Sequence, residues 1–251
     1  MTMDPDDLLP ILKVSPSQLA PRALVVGDPN RAVQASQMLD NHEQVGSNRE
    51  YRTFTGTYSG VPITVCSHGI GGPASSVCFT ELFQGGVQTV IRAGTCGALI
   101  ESIEDGQLIL ATGAIREDGT SPSLVPMAYP AIADRHIIKA LEESVAALGH
   151  APFPTGVVLS QSYLYPGVLP STTDMWMKAG AVCVEMELAT LLVLASLMGA
   201  RAGGIFTSDG NLARRDDPEV DSQTYSPHRD VVTLGVKTML RIALDALTRM
   251  A

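Results

Sequence analysis

Short apolar runs alternate with helical stretches along almost the whole chain, and this alternation restricts it to an α/β fold. Strands are predicted at Leu24–Val26, Ile63–Ser67, Thr89–Ala93, Leu108–Thr112, Gly156–Leu159, Val182–Glu185 and Gly203–Thr207. Helices are predicted at Arg31–Leu39, Pro73–Gln84, Asp134–Leu148, Glu187–Met198 and His228–Arg249. Pro73 follows Gly71-Gly72 and suits a first helical position. Gly149 suits the stop after the Asp134–Leu148 helix. Thr55 to Ile63, with Ser59-Gly60 at its centre, reads as a hairpin. The expectation is a twisted mixed sheet with helices on both faces, a three-layer arrangement. With no composition break, repeat or low-complexity tract in 251 residues, one domain over residues 1–251 is expected.

The segment Ala181-Val182-Cys183-Val184-Glu185-Met186-Glu187-Leu188-Ala189-Thr190 carries the most chemistry. An apolar strand delivers two carboxylates and a methionine to the start of an apolar helix. Charges so close to a core are costly unless paired or used. Alternation along a strand lets Glu185 and Glu187 face one side with Met186 between them. A sugar suits such a place, since carboxylates accept hydroxyl hydrogen bonds and a thioether packs against a ribose face. The other reading is an acidic helix N-terminus favoured by the macrodipole.

Val25-Val26-Gly27-Asp28-Pro29-Asn30-Arg31 is a strand, a glycine turn and an arginine opening a helix. Glycine lets backbone N–H groups approach an anion, and a helix N-terminus favours negative charge. The same residues also make an ordinary turn. Val90-Ile91-Arg92-Ala93-Gly94-Thr95-Cys96-Gly97 repeats the logic, with Arg92 on an apolar strand needing an anionic partner. His68 in Ser67-His68-Gly69-Ile70-Gly71 reads as structural. Cys66, Cys78, Cys96 and Cys183 show no metal-ligand spacing and read as buried thiols; Cys96 is the one placed where reactivity would matter.

Taken together, Val26 to Arg31, Asn48-Arg49-Glu50-Tyr51, Ser67 to Gly71, Ile91 to Gly97, Val184 to Glu187 and Ser208-Asp209-Gly210 follow the order found in one family. The chain resembles the nucleoside phosphorylases of the hexameric purine nucleoside and uridine phosphorylase type, over almost its full length. The resemblance implies a partly barrel-like sheet, with sites at strand ends and at a subunit interface.

It also implies roles. Phosphate falls to Gly27, Arg31, Arg92 and Thr95, and to Arg49 reaching across a dimer interface from a segment that otherwise reads as a polar loop. Ribose falls to Glu187, assisted by Glu185, with Met186 beneath the ring. The base falls to Asp209, which in purine members donates a proton or hydrogen bond to N7, with Tyr163 and Tyr165 as stacking candidates. Uridine phosphorylases carry a glutamine and an arginine after a Tyr-Pro-Gly turn; here Tyr165-Pro166-Gly167 is followed by Val168-Leu169-Pro170. That departure points to purine. Arg214 or Arg215, in a polar loop from Asn211 to Ser226, corresponds to an arginine that assists the aspartate in some members. His228 and Arg229 open the last helix. The family's N-terminal histidine, which contacts the sugar 5′-hydroxyl of a neighbouring subunit, is matched here by Ile11.

A net charge of -9 disfavours nucleic acid and anionic membranes as partners. The acidic start, Met1-Thr2-Met3-Asp4-Pro5-Asp6-Asp7, is unlike a secretory signal. The resulting expectation is a cytoplasmic, homo-oligomeric purine nucleoside phosphorylase, a hexamer built as a trimer of dimers. It would use inorganic phosphate as co-substrate, with no organic cofactor and no metal. Uridine and methylthioadenosine phosphorylases are the alternatives within the family. A nucleosidase and a non-catalytic nucleoside-binding protein are the alternatives outside it.

Overall fold

The computed structural model describes residues 6–150, 152–215 and 229–250. Its elements in chain order are β1 (Arg22–Val26), α1 (Pro29–Ser36), β2 (Asp40–Asn48), β3 (Tyr51–Tyr58), β4 (Val61–Ser67), α2 (Gly72–Gln84), β5 (Thr89–Ala98), β6 (Leu108–Glu117), α3 (Ser121–Leu124), β7 (Ala131–Ile132), α4 (Arg135–Ala147), β8 (Thr155–Gln161), α5 (Thr173–Lys178), β9 (Cys183–Glu185), α6 (Leu188–Leu197), β10 (Arg201–Asn211) and α7 (Asp230–Arg249).

Strand β5 organises the sheet. Along one edge it carries β10 in parallel, from Thr89 opposite Arg201 to Ala98 opposite Asn211. Its other edge is divided: β1 pairs in parallel with Thr89–Arg92, and β9 pairs antiparallel with Gly97–Ala98. The pairings of β5, β10, β6, β8 and β9 close into a circuit, a small barrel, while β1, β4, β3 and β2 extend as an open sheet. Between the points where β1 and β9 attach lie Ala93–Cys96. Such a divergence of neighbouring strands is where α/β sheets open a crevice at their strand ends.

Both faces of the sheet are covered. Phe79, Leu82, Leu191 and Phe206 pack on one side, against α2 and α6. Ile91, Ile205, Met239 and Leu240 pack on the other, against α7. Helix α6 is apolar all round and buried from Leu188 to Ala195, as a helix enclosed by other elements must be. Among the described residues no helix is long and apolar enough to cross a membrane.

The predicted strands and helices are present, with shifted ends. Helix α1 stops at Ser36, short of the expected Leu39. The expected polar loop around Arg49 is instead the tight turn of the β2–β3 hairpin, with Asn48 opposite Tyr51 and Arg49 at φ 53°. Strand β2 has no apolar alternation to reveal it: residues 40–44 are exposed, and Gly46 is its one buried residue. There a Cβ would fall 2.4 Å from Val14. The short elements α3, α5 and β7 were also not legible. His228 lies outside the described residues, and α7 starts at Asp230 with Arg229 as its N-cap.

Candidate active site

The two carboxylates at the β9–α6 junction are both buried, but they do different things. Glu185 accepts the backbone N–H groups of Glu187 and Leu188, each at 2.9 Å, and the hydroxyl of Ser160. Ser160 in turn accepts the N–H of Ala189 at 2.9 Å. These are N–H groups that a helix leaves without internal partners in its first turn. Glu185 and Ser160 therefore cap α6 from the neighbouring strands. Burial pushes the Glu185 carboxyl up, and Glu187 adds to the rise, against Arg92.

Glu187 accepts the backbone N–H of Gly71 at 2.6 Å through Oε1 and binds Arg92 through Oε2. Burial opposes its charge, but the Arg92 guanidinium and the Gly71 N–H outweigh it and hold the carboxyl below the usual range. The sequence pattern suggested a matched pair. In the fold, Glu185 is engaged by the helix, and Glu187 is the one tied to the site's arginine and glycine turn.

Arg92 is 4% exposed. Its Nη2 lies 3.4 Å from Glu185 and bonds Glu187, and its Cζ stands 5.1 Å from the Phe206 ring centre. Burial alone would lower its pKa, but the two carboxylates reverse the shift and keep it charged. Gly94 makes the pose possible, since a Cβ there would sit 2.0 Å from Nη1. Among the described residues Nε and Nη1 have no hydrogen-bond partner. Arg116, equally buried, is different: its nitrogens bond Ser121 and the carbonyls of Pro126, Val125 and others. Buried guanidinium nitrogens without partners are uncommon, and charged donors of this kind suit an oxyanion.

The turns after β1 and β4 are joined, with His68 N–H on the Val26 carbonyl at 2.9 Å and Gly69 N–H on the Gly27 carbonyl at 3.1 Å. Asp28 caps α1 through the N–H of Asn30, at 2.8 Å, which sets half-buried Arg31 in the first turn. His68 is buried, with Nδ1 against the Gly69 carbonyl at 2.8 Å and its ring edge-on to Phe79. Burial, then Arg92, pushes its pKa down to about 3, so the ring is neutral.

Asp209 sits at a bulge. Ser208 lies opposite Cys96 and Gly210 opposite Gly97, so Asp209 is the extra residue between them. Bulges re-aim side chains in this way. The carboxyl bonds the Thr95 side chain and feels Arg31, while burial, the largest effect, pushes its pKa up to about 6. Arg229 holds the Asp209 carbonyl at 2.8 Å and pairs with Asp105. Gly27, Arg31, Thr95, Gly97, Val184 and Met186 are all half-buried. They are the accessible residues in segments whose charged side chains, Arg92, Glu185, Glu187 and Asp209, are buried. Two clefts elsewhere, along β6–β7 at Thr112, Tyr129 and Ile132 and beside α4 at Val145 and Phe153, contain none of these residues. The chemistry, more than cavity size, marks the site.

A family model described as the phosphorylase superfamily matches residues 21–248. The chain belongs to this family. It is 36% identical over 248 residues to a purine nucleoside phosphorylase of Plasmodium falciparum, covering 98% of each chain. It is also 36% identical over 227 residues to a uridine phosphorylase of Haemophilus influenzae, covering 84% of this chain and 88% of that one. A solved purine nucleoside phosphorylase of Toxoplasma gondii, in complex with immucillin-H, superposes with a TM-score of 0.90 at 31% identity. That match covers 98% of this chain and 97% of the other. The protein is thus a nucleoside phosphorylase, similar to enzymes named for both base classes.

Within this phosphorylase the remaining expected residues are scattered. Arg49 is exposed at its hairpin tip. Tyr163, 37% exposed, reaches Ser171 at 3.3 Å, and Tyr165 is 80% exposed. Arg214 pairs with Glu104 at 2.8 Å and Arg215 with Asp174 at 2.7 Å. The arginine that touches Asp209 through a hydrogen bond is Arg229, on its backbone carbonyl. Cys96 is buried with its thiol pushed up by burial and by Cys183, which removes the reactivity its position suggested. Ser160 and Gln161, buried at the end of β8, were missed; a polar pair closing an apolar strand was their signal.

Proposed function

We propose that this nucleoside phosphorylase acts on purine nucleosides, releasing the free base and forming ribose or deoxyribose 1-phosphate. Asp209 carries the reading. A carboxyl titrating at about 6 is available as an acid near neutrality. As the C1′–N9 bond breaks, its electron pair moves into the base and Asp209 donates its proton to N7. A phosphate oxygen forms the new bond to C1′. Pyrimidines offer no ring nitrogen equivalent to N7.

Phosphate is held by the Gly27 N–H, by Arg31 and Thr95, and by Arg92. In a hexamer assembled as a trimer of dimers, the partner subunit's Arg49 completes that clamp. Each charge-assisted contact supplies about 1.5–3 kcal/mol. Glu187 keeps lone pairs for the 2′- and 3′-hydroxyls beyond its bonds to Arg92 and Gly71, and Met186 packs beneath the sugar. Glu185 acts by fixing the start of α6. Tyr163 and Tyr165 supply aromatic surface for the base. The reaction needs inorganic phosphate as co-substrate and neither metal nor organic cofactor.

A panel of inosine, adenosine, guanosine, methylthioadenosine and uridine, with and without phosphate, tests the reading. Purine nucleosides are expected to react best, and only with phosphate. Uridine as best substrate overturns the purine assignment; base release without phosphate overturns phosphorolysis.

A further inference from the structure

Gln161, the last residue of β8, is 5% exposed, and its side-chain Nε2 has no hydrogen-bond partner among the described residues. A donor buried without a partner is a net loss to stability, and native interiors rarely keep one without a use. The sheet register shows what it faces. Val184 lies opposite both Leu159 of β8 and Gly97 of β5. Strand β9 runs parallel to β8 and antiparallel to β5. Two residues on from Leu159, at Gln161, the matching position on β5 is therefore Thr95. Side chains two apart share a face, so, with that register carried one residue past the end of β9 at Glu185, Gln161 and Thr95 face the same way across the site. Thr95 is the hydroxyl that bonds the Asp209 carboxyl. Ser160 points the other way, into its bond with Glu185. Between Gln161 and Thr95 lies half-buried Met186, and one step back on the same face are Val184 and Gly97, the latter contacted by Leu212, which would lie 2.3 Å from a Cβ there.

We infer that Gln161 binds the base, its amide N–H donating to a carbonyl oxygen at C6 of a purine whose N7 meets Asp209. The assignment rests on the purine reading above. It makes the site selective for 6-oxopurines. An amide donor on one side and a carboxyl on the other hold the base by both ends of its C6–N7 edge. A site built around such a bond discriminates sharply against a substrate lacking the partner atom.

The test compares inosine with purine riboside, which lacks the C6 oxygen and with it the N1 proton, in the unaltered enzyme and in Gln161→Leu. Leucine fills a similar volume and removes the unpartnered amide, so the melting temperature is expected to hold or rise, which shows that the fold is kept. The phosphate KM is expected to stay the same. For inosine, kcat/KM is expected to fall about 10- to 50-fold, and for purine riboside by less than about 2-fold. Equal losses on both substrates, or no loss on inosine, overturn the assignment. Failure of the unaltered enzyme to cleave either purine substrate while cleaving uridine overturns the purine reading instead, and separates the two failures.

Discussion

Arg92 and Glu187 form a buried ion pair between residues 95 positions apart in the chain. The pair couples the arginine proposed to hold phosphate to the carboxylate proposed to meet the sugar. Glu187→Gln keeps an oxygen for the Gly71 N–H but removes the charge and part of the acceptor capacity. Discrimination between ribosides and 2′-deoxyribosides is expected to disappear, with inosine losing more kcat/KM than 2′-deoxyinosine. Equal losses would count against Glu187 as the 2′-hydroxyl partner. Glu185→Ala is expected to differ in kind. It uncaps α6 and lowers stability by about 2 kcal/mol, while sugar selectivity stays as it was. Thermal unfolding together with substrate ratios separates the two glutamates.

Arg92→Lys preserves the positive charge beside Glu185 and Glu187 but removes the planar guanidinium, whose Nε and Nη1 have no partner among the described residues. The two side chains are not equivalent at an anion site. The phosphate KM is expected to rise at least about 10-fold, equivalent to about 1.4 kcal/mol, with little change in nucleoside KM. An unchanged phosphate KM would remove Arg92 from the clamp.

Asp209 gives the pH dependence a definite sign. Its carboxyl titrates at about 6 in the fold, against an ordinary 3.8. Below 3.8 it is protonated folded or unfolded and contributes no slope. From there to about 6 the unfolded chain gives up the proton first, so stability falls as pH rises, then levels. The full effect is at most about 3 kcal/mol. Asp209→Asn is expected to abolish most purine cleavage and to be more stable than the unaltered protein above about pH 6, with no gain near pH 3. In the unaltered enzyme, kcat/KM is expected to fall as pH rises through about 6. A purine rate within a few-fold of the unaltered enzyme's would dismiss the acid role.

Short apolar runs made β1, β5, β9 and β10 readable, because strands covered on both faces are buried almost continuously. The barrel closure was not readable in that way. It depends on β5 dividing one edge between β1 and β9, a pairing between residues far apart in the chain. The glycine-and-arginine turns marked Gly27, Arg92 and Thr95 by residue type alone. The division of labour between Glu185 and Glu187 needed the hydrogen bonds, since alternation treats them as equivalent. Arg229 was hidden for a different reason: it reaches Asp209 from the start of α7, and no local spacing links the two.

Ile11 supports the last prediction. Its backbone N–H is held by the Glu81 carboxylate at 2.9 Å, and its carbonyl accepts Asn48 Nδ2 at 2.8 Å. Asn48 adjoins Arg49, so the N-terminal turn and the Arg49 hairpin form one anchored edge. If Arg49 serves a neighbouring subunit, Ile11 stands beside it, where related enzymes are expected to present a histidine to the sugar 5′-hydroxyl. Its side chain is half-buried and packs toward the core, and an isoleucine side chain has no hydrogen bond to give. A 5′-hydroxyl enclosed there without a partner loses free energy, whereas a 5′-methyl or methylthio group packs well. Discrimination against 5′-deoxy and 5′-methylthio purine nucleosides is therefore expected to be weak. The check is the ratio of kcat/KM for inosine and 5′-deoxyinosine, which should lie within about 10-fold. A preference for inosine above ~100-fold, or about 2.7 kcal/mol, would reveal a strong 5′-hydroxyl contact and reject the prediction.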